Sequence, residues 1–244
     1  MIKEAIEKYC SRNGIDRLDL KLFMFDMDGV LFDSMPYHAK AWRMTLLEEG
    51  MDFDERIFYL HEGRTCEATV KIAYGKELSS EECKRIYARK SEIFDSLQRI
   101  KPMPGAFDVA SAVKKRGLEA IVVTGSGHKT LFEHVKKHYP GIFHMDWMVS
   151  SSDVKKGKPD PEPYLMGLQK AGDLTPYNAV VIENAPLGVK AGHDSGCFVI
   201  GVNTGPVPGQ MLLDAGADLL FPSMTALAEK IDEIIDGLKN PLDA

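Results

Sequence analysis

Residues 22–34 read Leu-Phe-Met-Phe-Asp-Met-Asp-Gly-Val-Leu-Phe-Asp-Ser. An apolar run ends in one carboxylate, Asp26, with a second, Asp28, two residues on and Gly29 behind it. Such a run reads as a buried parallel strand, and open α/β sheets take their ligands at the carboxyl ends of such strands. An acidic loop that only solvates a strand end would have the same composition. The direct lead into Asp33-Ser34, a helix-start signal, favours chemistry. Ile121-Val122-Val123 likewise leads to Thr124, Gly125 and Ser126. There a hydroxyl and free backbone N–H groups can hold a phosphoryl oxygen, although a plain strand-to-helix turn would look the same. Lys158 stands before a turn stiffened by Pro159 and Pro161, with a solvated lysine as the alternative. Val180-Val181-Ile182 leads to Glu183 and Asn184. An acid leaving a buried strand is a candidate oxygen ligand for Mg²⁺, while Asn184, two residues ahead of Pro186, could simply cap a helix.

Stepping outward, these tips need a scaffold of strands and helices. Ile2, Ala5, Ile6 and Tyr9 have helical spacing, with a stop at Asn13-Gly14. Leu20 to Phe25 is the first strand, and a helix is expected from Pro36 to about Glu49-Gly50. From Ser34 to Lys101 the signals are helical only. Ser79-Ser80-Glu81-Glu82 resembles a capping box ahead of Cys83, Ile86, Tyr87, Lys90, Ile93, Phe94 and Leu97. Lys101-Pro102-Met103-Pro104-Gly105 breaks the chain. Beyond it comes a helix from Ala106 to Arg116, capped by Gly117, and strands at Leu118–Val123, Met145–Val149, Ala179–Ile182 and Phe198–Val202. Leu219-Leu220-Phe221 is an edge strand, and one last helix starts at Ser223. Strands alternating with helices argue for a parallel sheet with helices on both faces. The expected organisation is an α/β core of residues 1–33 and 102–244 with a helical unit, 34–101, inserted after the first strand.

The 244 residues can bury one good core and a smaller second unit. A net charge of −6 without a long basic stripe argues against nucleic acid. No apolar run reaches membrane-spanning length, and the N-terminal stretch reads as an amphipathic helix, not a signal peptide. Cys10, Cys66, Cys83 and Cys197 are widely spaced, as reduced thiols of a cytoplasmic protein would be. A monomer is expected.

The motif Asp-Met-Asp-Gly-Val-Leu-Phe-Asp-Ser resembles the haloacid dehalogenase superfamily, and within it the β-phosphoglucomutase-like subfamily. The resemblance covers all but the first dozen or so residues. It implies a Rossmann-like parallel sheet with a small α-helical cap, and phosphoryl transfer through an aspartyl-phosphate with Mg²⁺. Asp26 would be the nucleophile and Asp28 the general acid/base. Thr124 would be the hydroxyl donor of the second motif, with Gly125 and Ser126 beside it. Lys158, in Lys-Pro of the third motif, would neutralise charge between nucleophile and phosphoryl oxygens. Asp26, the Asp28 backbone carbonyl, Glu183 and Asn184 would hold the metal. The family usually has Glu-Asp at the last pair, and this chain has Glu-Asn.

Substrate choice is then expected in the cap. His38 matches a histidine with which mutases of the subfamily couple cap closure to catalysis; a helix-surface histidine is the equal alternative. Leu60-His61-Glu62-Gly63-Arg64-Thr65 corresponds to the cap's specificity loop. Mutases carry a lysine before that loop's glycine and an arginine three residues after it, where this chain has Glu62 and Cys66, with Arg64 a possible substitute. Like charges about 4 Å apart repel by about 4 kcal/mol at an effective dielectric near ~20. Glu62 beside a phosphate therefore points either to solvent or to a metal. A lid in which Glu62 restores the charge missing at Asn184 suits a compact polyanion bringing its own Mg²⁺. The expected activity is hydrolysis of small phosphates, inorganic pyrophosphate first. β-Phosphoglucomutase is the alternative, and a phosphate-binding protein without turnover the third reading.

Overall fold

A computed structural model describes residues 1–64, 66–75, 77–97, 100–127 and 129–239. The elements of the first part are α1 (Ile2–Asn13), β1 (Leu22–Phe25), α2 (Met35–Glu48), α3 (Ile57–Leu60), α4 (Cys66–Tyr74) and α5 (Ser80–Leu97). There follow α6 (Ala106–Lys115), β2 (Glu119–Val122), α7 (Lys129–His138), α8 (Glu162–Lys170), β3 (Ala179–Glu183) and α9 (Pro186–Asp194). The chain closes with β4 (Phe198–Val202), α10 (Gly209–Asp214), β5 (Leu219–Phe221), α11 (Met224–Ala228) and α12 (Ile231–Lys239).

The strands form one parallel sheet in the order β2-β1-β3-β4-β5. Their sequences are almost wholly apolar because both faces are covered. Phe23 and Phe25 pack with Val122, Ile182 and Ile200 on one side, while Leu22 and Met24 pack with Ile121, Val181 and Val199 on the other. The register puts Phe25 opposite Val122 and Ile182. The residues that follow these three, Asp26, Val123 and Glu183, therefore leave the sheet at one level. One register sets the whole catalytic edge.

Between β1 and α6 the elements among the described residues are the four helices α2 to α5, joined by turns and loops. Ala39, Trp42 and Leu46 of α2 form a small core of its own with Phe58, Val70, Cys83 and Ile86. The expected box at the start of α5 is present: Ser79 Oγ accepts the Glu82 N–H, and Glu82 Oε2 accepts the Ser79 N–H at 2.9 Å. The two strands of chain that join this unit to the sheet run side by side, with Phe32 bridged to Pro102 and the Asp33 N–H on the Lys101 carbonyl.

Two expectations are corrected. Met145–Val149 is not a strand: Met145–Trp147 is a single 3₁₀ turn, and only Val149 bridges to Val123. The His144 ring stacks on Trp147, and the His144 N–H bonds the Ala120 carbonyl, so the segment touches the edge of β2 without running along it. The last helix is two. Ser223 caps α11 as expected, but the Lys230 N–H bonds Leu227 three residues back, which tightens the turn and ends the helix before α12.

Candidate active site

Asp26 follows β1 directly, is buried, and its N–H bonds the Ile182 carbonyl of β3. Lys158 reaches it from below. Its ammonium donates to Asp26 Oδ1 at 2.5 Å, Glu183 Oε1 at 2.6 Å and the Val123 carbonyl at 3.0 Å. Three protons meet three acceptors, so a lysine 2 % exposed is fully satisfied and held charged above its usual range by the two carboxylates, against the penalty of burial. Burial, together with Glu183 and Asp28, pushes the Asp26 carboxyl up against the pull of Lys158. Ionising Asp26 therefore calls for further positive charge.

Asp28 is aimed by the loop that contains it. The Gly29 N–H bonds the Phe32 carbonyl at 2.8 Å; because the peptide is planar and trans, that bond also fixes the direction of the Asp28 carbonyl. Gly29 has φ +82°, and a Cβ there would lie 2.1 Å from Asn184 Nδ2, so the position requires glycine twice over. The Asp28 carboxylate accepts from the Ser34 hydroxyl and from His38 Nε2 at 3.1 Å. Lys90 of α5 donates to His38 Nδ1 at 2.7 Å, which leaves the Nε2 proton for Asp28. Burial would raise the Asp28 carboxyl, but His38, Ser34 and Lys90 outweigh it and hold it down to about 2. Burial and Lys90 lower His38. His38 is thus no surface histidine: it lies flat on Phe94, ring centroids 4.1 Å apart, between two charged groups.

Thr124 is 3 % exposed, and its Oγ1 accepts the Ser126 N–H at 2.9 Å, which leaves its own proton to donate. Glu183 is placed differently from expectation. Its Oε1 takes Lys158 and the Tyr164 hydroxyl, and its Oε2 takes the Asn184 and Ala185 N–H groups. The carboxylate is spent on Lys158 and on the start of α9, and a Cβ at Gly188 would collide with it at 1.9 Å. Asn184 does not cap that helix. Its Nδ2 donates to Glu62 Oε1 of the cap at 3.0 Å, and its Oδ1 is buried with no hydrogen-bond partner among the described residues.

An orphaned amide oxygen packed against Gly29, the residue after Asp28, fits a hard divalent cation, which takes oxygen donors and is commonly shared between few protein ligands and a substrate phosphate. The charges fit as well, since four carboxylates, Asp26, Asp28, Glu62 and Glu183, outnumber the three fixed cations Lys158, Lys90 and Arg64. Among the described residues no three His, Cys, Asp or Glu side chains are grouped to hold a metal; a cation here would be held by the Asp26 carboxylate, the Asp28 carbonyl and the Asn184 amide oxygen.

Asp26, Asp28, Thr124, Gly125 and Ser126 face His38, Glu62 and Arg64 across one cavity of about 80 Å³, whose outer wall is Trp42 and Phe58. Glu62 is half-buried and turned inward, and burial with Asp26, Glu183 and Asp28 nearby pushes its carboxyl well up. Arg64 Nε bonds His61 Nδ1 at 3.3 Å. Thr65 and the Cys66 side chain lie outside the described residues. The cap loop is shut on the core: a Cβ on Gly125 would meet the Gly63 carbonyl at 2.7 Å, and one on Gly63 would meet Lys158 Cδ at 2.9 Å. Sequence reasoning missed Lys90 as a site residue, although a lysine at an inward position of a helix was a usable signal. It also missed Tyr164, which carried none.

A parallel α/β core with a helical insertion after its first strand, and two aspartates at that strand's end, defines a class. The family model for haloacid dehalogenase-like hydrolases matches residues 20–196, and the chain belongs to that family. Hexitol phosphatase A of Escherichia coli is 33% identical over 75% of this chain and 83% of its own. A phosphorylated carbohydrates phosphatase of Thermotoga maritima is 29% identical over 91% and 100%. Among solved structures, a "Putative beta-phosphoglucomutase" from Bacteroides vulgatus is 45% identical, with a TM-score of 0.94 over 98% of this chain and 99% of that one. The protein is an enzyme of the family's phosphatase type, with phosphomutase the alternative. No helix among the described residues is long and apolar enough to cross a membrane.

Proposed function

We propose that this chain is a Mg²⁺-dependent phosphohydrolase of small phosphates that works through an aspartyl-phosphate on Asp26. The observation that carries it is the pairing of Asp26 with buried Lys158, two residues from a second carboxylate held in a different state by Ser34, His38 and Lys90. Asp26, the Asp28 carbonyl and Asn184 Oδ1 would hold the Mg²⁺, which offsets repulsion between an anionic nucleophile and an anionic substrate. The Asp26 carboxylate attacks phosphorus as the P–O bond to the leaving group breaks; a phosphate leaves as its anion, and an alkoxide would take its proton from Asp28. The Thr124 hydroxyl binds a phosphoryl oxygen, and Lys158, hydrogen-bonded to Asp26, neutralises charge between nucleophile and phosphoryl oxygens. Asp28 then takes a proton from the water that hydrolyses the aspartyl-phosphate. The helical unit 34–101 acts as a lid on the core formed by 1–33 and 102–244. Buried free thiols at Cys10, Cys83 and Cys197 accord with a cytoplasmic enzyme, and we treat it as a monomer.

Inorganic pyrophosphate is the first candidate substrate. A single water needs about 10–15 Å³, so a cavity near 80 Å³ holds roughly five to eight waters, which favours a compact phosphate over a hexose phosphate. Asp28, held near 2, is a poor proton donor, which suits a leaving phosphate better than a leaving alkoxide. The second reading is a sugar-phosphate phosphatase or β-phosphoglucomutase. The Trp42 and Phe58 wall favours a carbon skeleton, and the Lys90–His38–Asp28 chain suits a gated acid/base.

Phosphate release from pyrophosphate, hexitol and hexose phosphates, with and without Mg²⁺, separates these readings, alongside conversion of β-glucose 1-phosphate to glucose 6-phosphate. Pyrophosphate as the fastest substrate is expected. Isomerisation with little phosphate release would make the chain a mutase, and no Mg²⁺-dependent turnover of any of them would leave a binding protein.

A further inference from the structure

Tyr164 stands in α8 behind the nucleophile, and nothing in the function proposed above uses it. It is fully buried, and its hydroxyl donates to Glu183 Oε1 at 2.8 Å. The same oxygen accepts the Lys158 ammonium, which also donates to Asp26 Oδ1. The Tyr164 ring centroid is 5.1 Å from Lys158 Nζ. Glu183 has no freedom to turn away. Its other oxygen holds two backbone N–H groups, and its side chain lies in the space where Gly188 lacks a Cβ. Toward a carboxylate oxygen that also accepts the Lys158 ammonium, the hydroxyl is the donor. In a low-dielectric chain of charge-assisted bonds, a change in one bond is felt in the next.

We propose, on the reading of Asp26 as nucleophile, that Tyr164 is a positioning residue that sets how Lys158 is shared between Asp26 and Glu183. By donating to Glu183 Oε1, the hydroxyl takes up part of the charge with which Glu183 draws the ammonium. Lys158 is then left closer to Asp26 and to the phosphoryl oxygens that arrive there. A hydroxyl that merely satisfied a buried acceptor would affect stability and leave Lys158 and the rate alone.

Tyr164→Phe keeps the ring and its volume and removes only the donor. Two measurements on the full chain decide. One is the ¹H–¹⁵N signal of the Lys158 ammonium in protein labelled with ¹⁵N-lysine, assigned by its loss in Lys158→Met. The other is Mg²⁺-dependent turnover of pyrophosphate, or of p-nitrophenyl phosphate where pyrophosphate is not turned over. A shifted Lys158 signal is expected, with kcat lowered about 3- to 10-fold and KM changed by less than about 2-fold. Site-specific 3,5-difluorotyrosine at 164, a stronger donor, should move the signal the opposite way, and it decides the question if Tyr164→Phe does not fold. An unmoved Lys158 signal overturns the proposal whatever the rate does, as does a moved signal with an unchanged kcat. Should the wild-type chain turn over neither phosphate, the phosphohydrolase reading fails on its own, and the two Lys158 signals alone decide the role of Tyr164.

Discussion

At the scale of residues, the two aspartates of one loop are held in opposite electrostatic states. Asp26 is resisted by burial and by its acidic neighbours, while Asp28 is stabilised as an anion by Ser34, His38 and Lys90. The Asp28 carboxyl is depressed from 3.8 to about 2, so its anion stabilises the folded state above the unfolded value. That contribution is lost as pH falls from 3.8 towards 2 and is on the order of 2 kcal/mol, at about 1.4 kcal/mol per unit. Denaturant melts of Asp28→Asn across that window should show a flatter acid limb than wild type; equal slopes would mean that Asp28 is not held in this way. Lys90 reaches Asp28 both by its charge and through the hydrogen bond to His38. Lys90→Met should therefore lower kcat by about 10-fold or more, at or below the low end of general acid–base effects, with a smaller change in KM. Steady-state kinetics at fixed Mg²⁺ read this out, and a loss confined to KM would return Lys90 to substrate binding.

At the scale of elements, much was legible because the signals were local. Four buried residues in a row made β1, the box at Ser79 and Glu82 opened α5, and Gly14 closed α1 in the left-handed conformation. Two elements were misread where tertiary contacts overrode pattern: the edge segment after α7 curls onto Trp147, and the C-terminal helix breaks at Lys230. An acid at a strand end looks alike in sequence whether it faces out or in, so the partners of Glu183 were not legible there. Only the packing of Tyr164, Lys158 and Gly188 around it shows which way it turns. The pairing of Glu62 with Asn184 is direct contact between two positions where the sequence departs from family expectation. The seam between cap loop and core is set by two glycines. A methyl at position 125 must displace the Gly63 carbonyl, 2.7 Å away, and so holds the lid ajar. Gly125→Ala should lower kcat/KM about 10- to 100-fold and speed proteolysis of the cap loop, without loss of thermal stability. Unchanged kinetics would show that the closed seam is not the working form.

At the scale of the molecule, a single sheet register brings the ends of β1, β2 and β3 to one edge, and an insertion after β1 covers that edge. Residues far apart in the chain are thus brought to one cavity. The core supplies Asp26, Thr124, Lys158 and Asn184, while the inserted unit supplies His38 and Lys90 from α2 and α5 and Glu62 and Arg64 from the turn after α3. This division explains why Asp26, Thr124 and Lys158 stood out from their own surroundings in the sequence, while His38, Glu62 and Arg64 came from the resemblance and Lys90 was missed. The core residues follow apolar strands or stiff turns, whereas each lid residue sits among ordinary helix and loop polar groups until the fold turns it inward. The central claim is covalent: phosphate passes through Asp26. Asp28→Ala keeps the nucleophile and removes the proposed base, so the phosphorylated enzyme should accumulate. Rapid acid quench of Asp28→Ala with Mg²⁺ and pyrophosphate, or the best phosphate found, followed by peptide mass spectrometry is the direct measurement. The account predicts one added phosphoryl group on the peptide containing Asp26, labile to hydroxylamine and absent from Asp26→Asn/Asp28→Ala. Turnover by Asp26→Asn at the wild-type rate, with no phosphoryl group on that peptide, would contradict it.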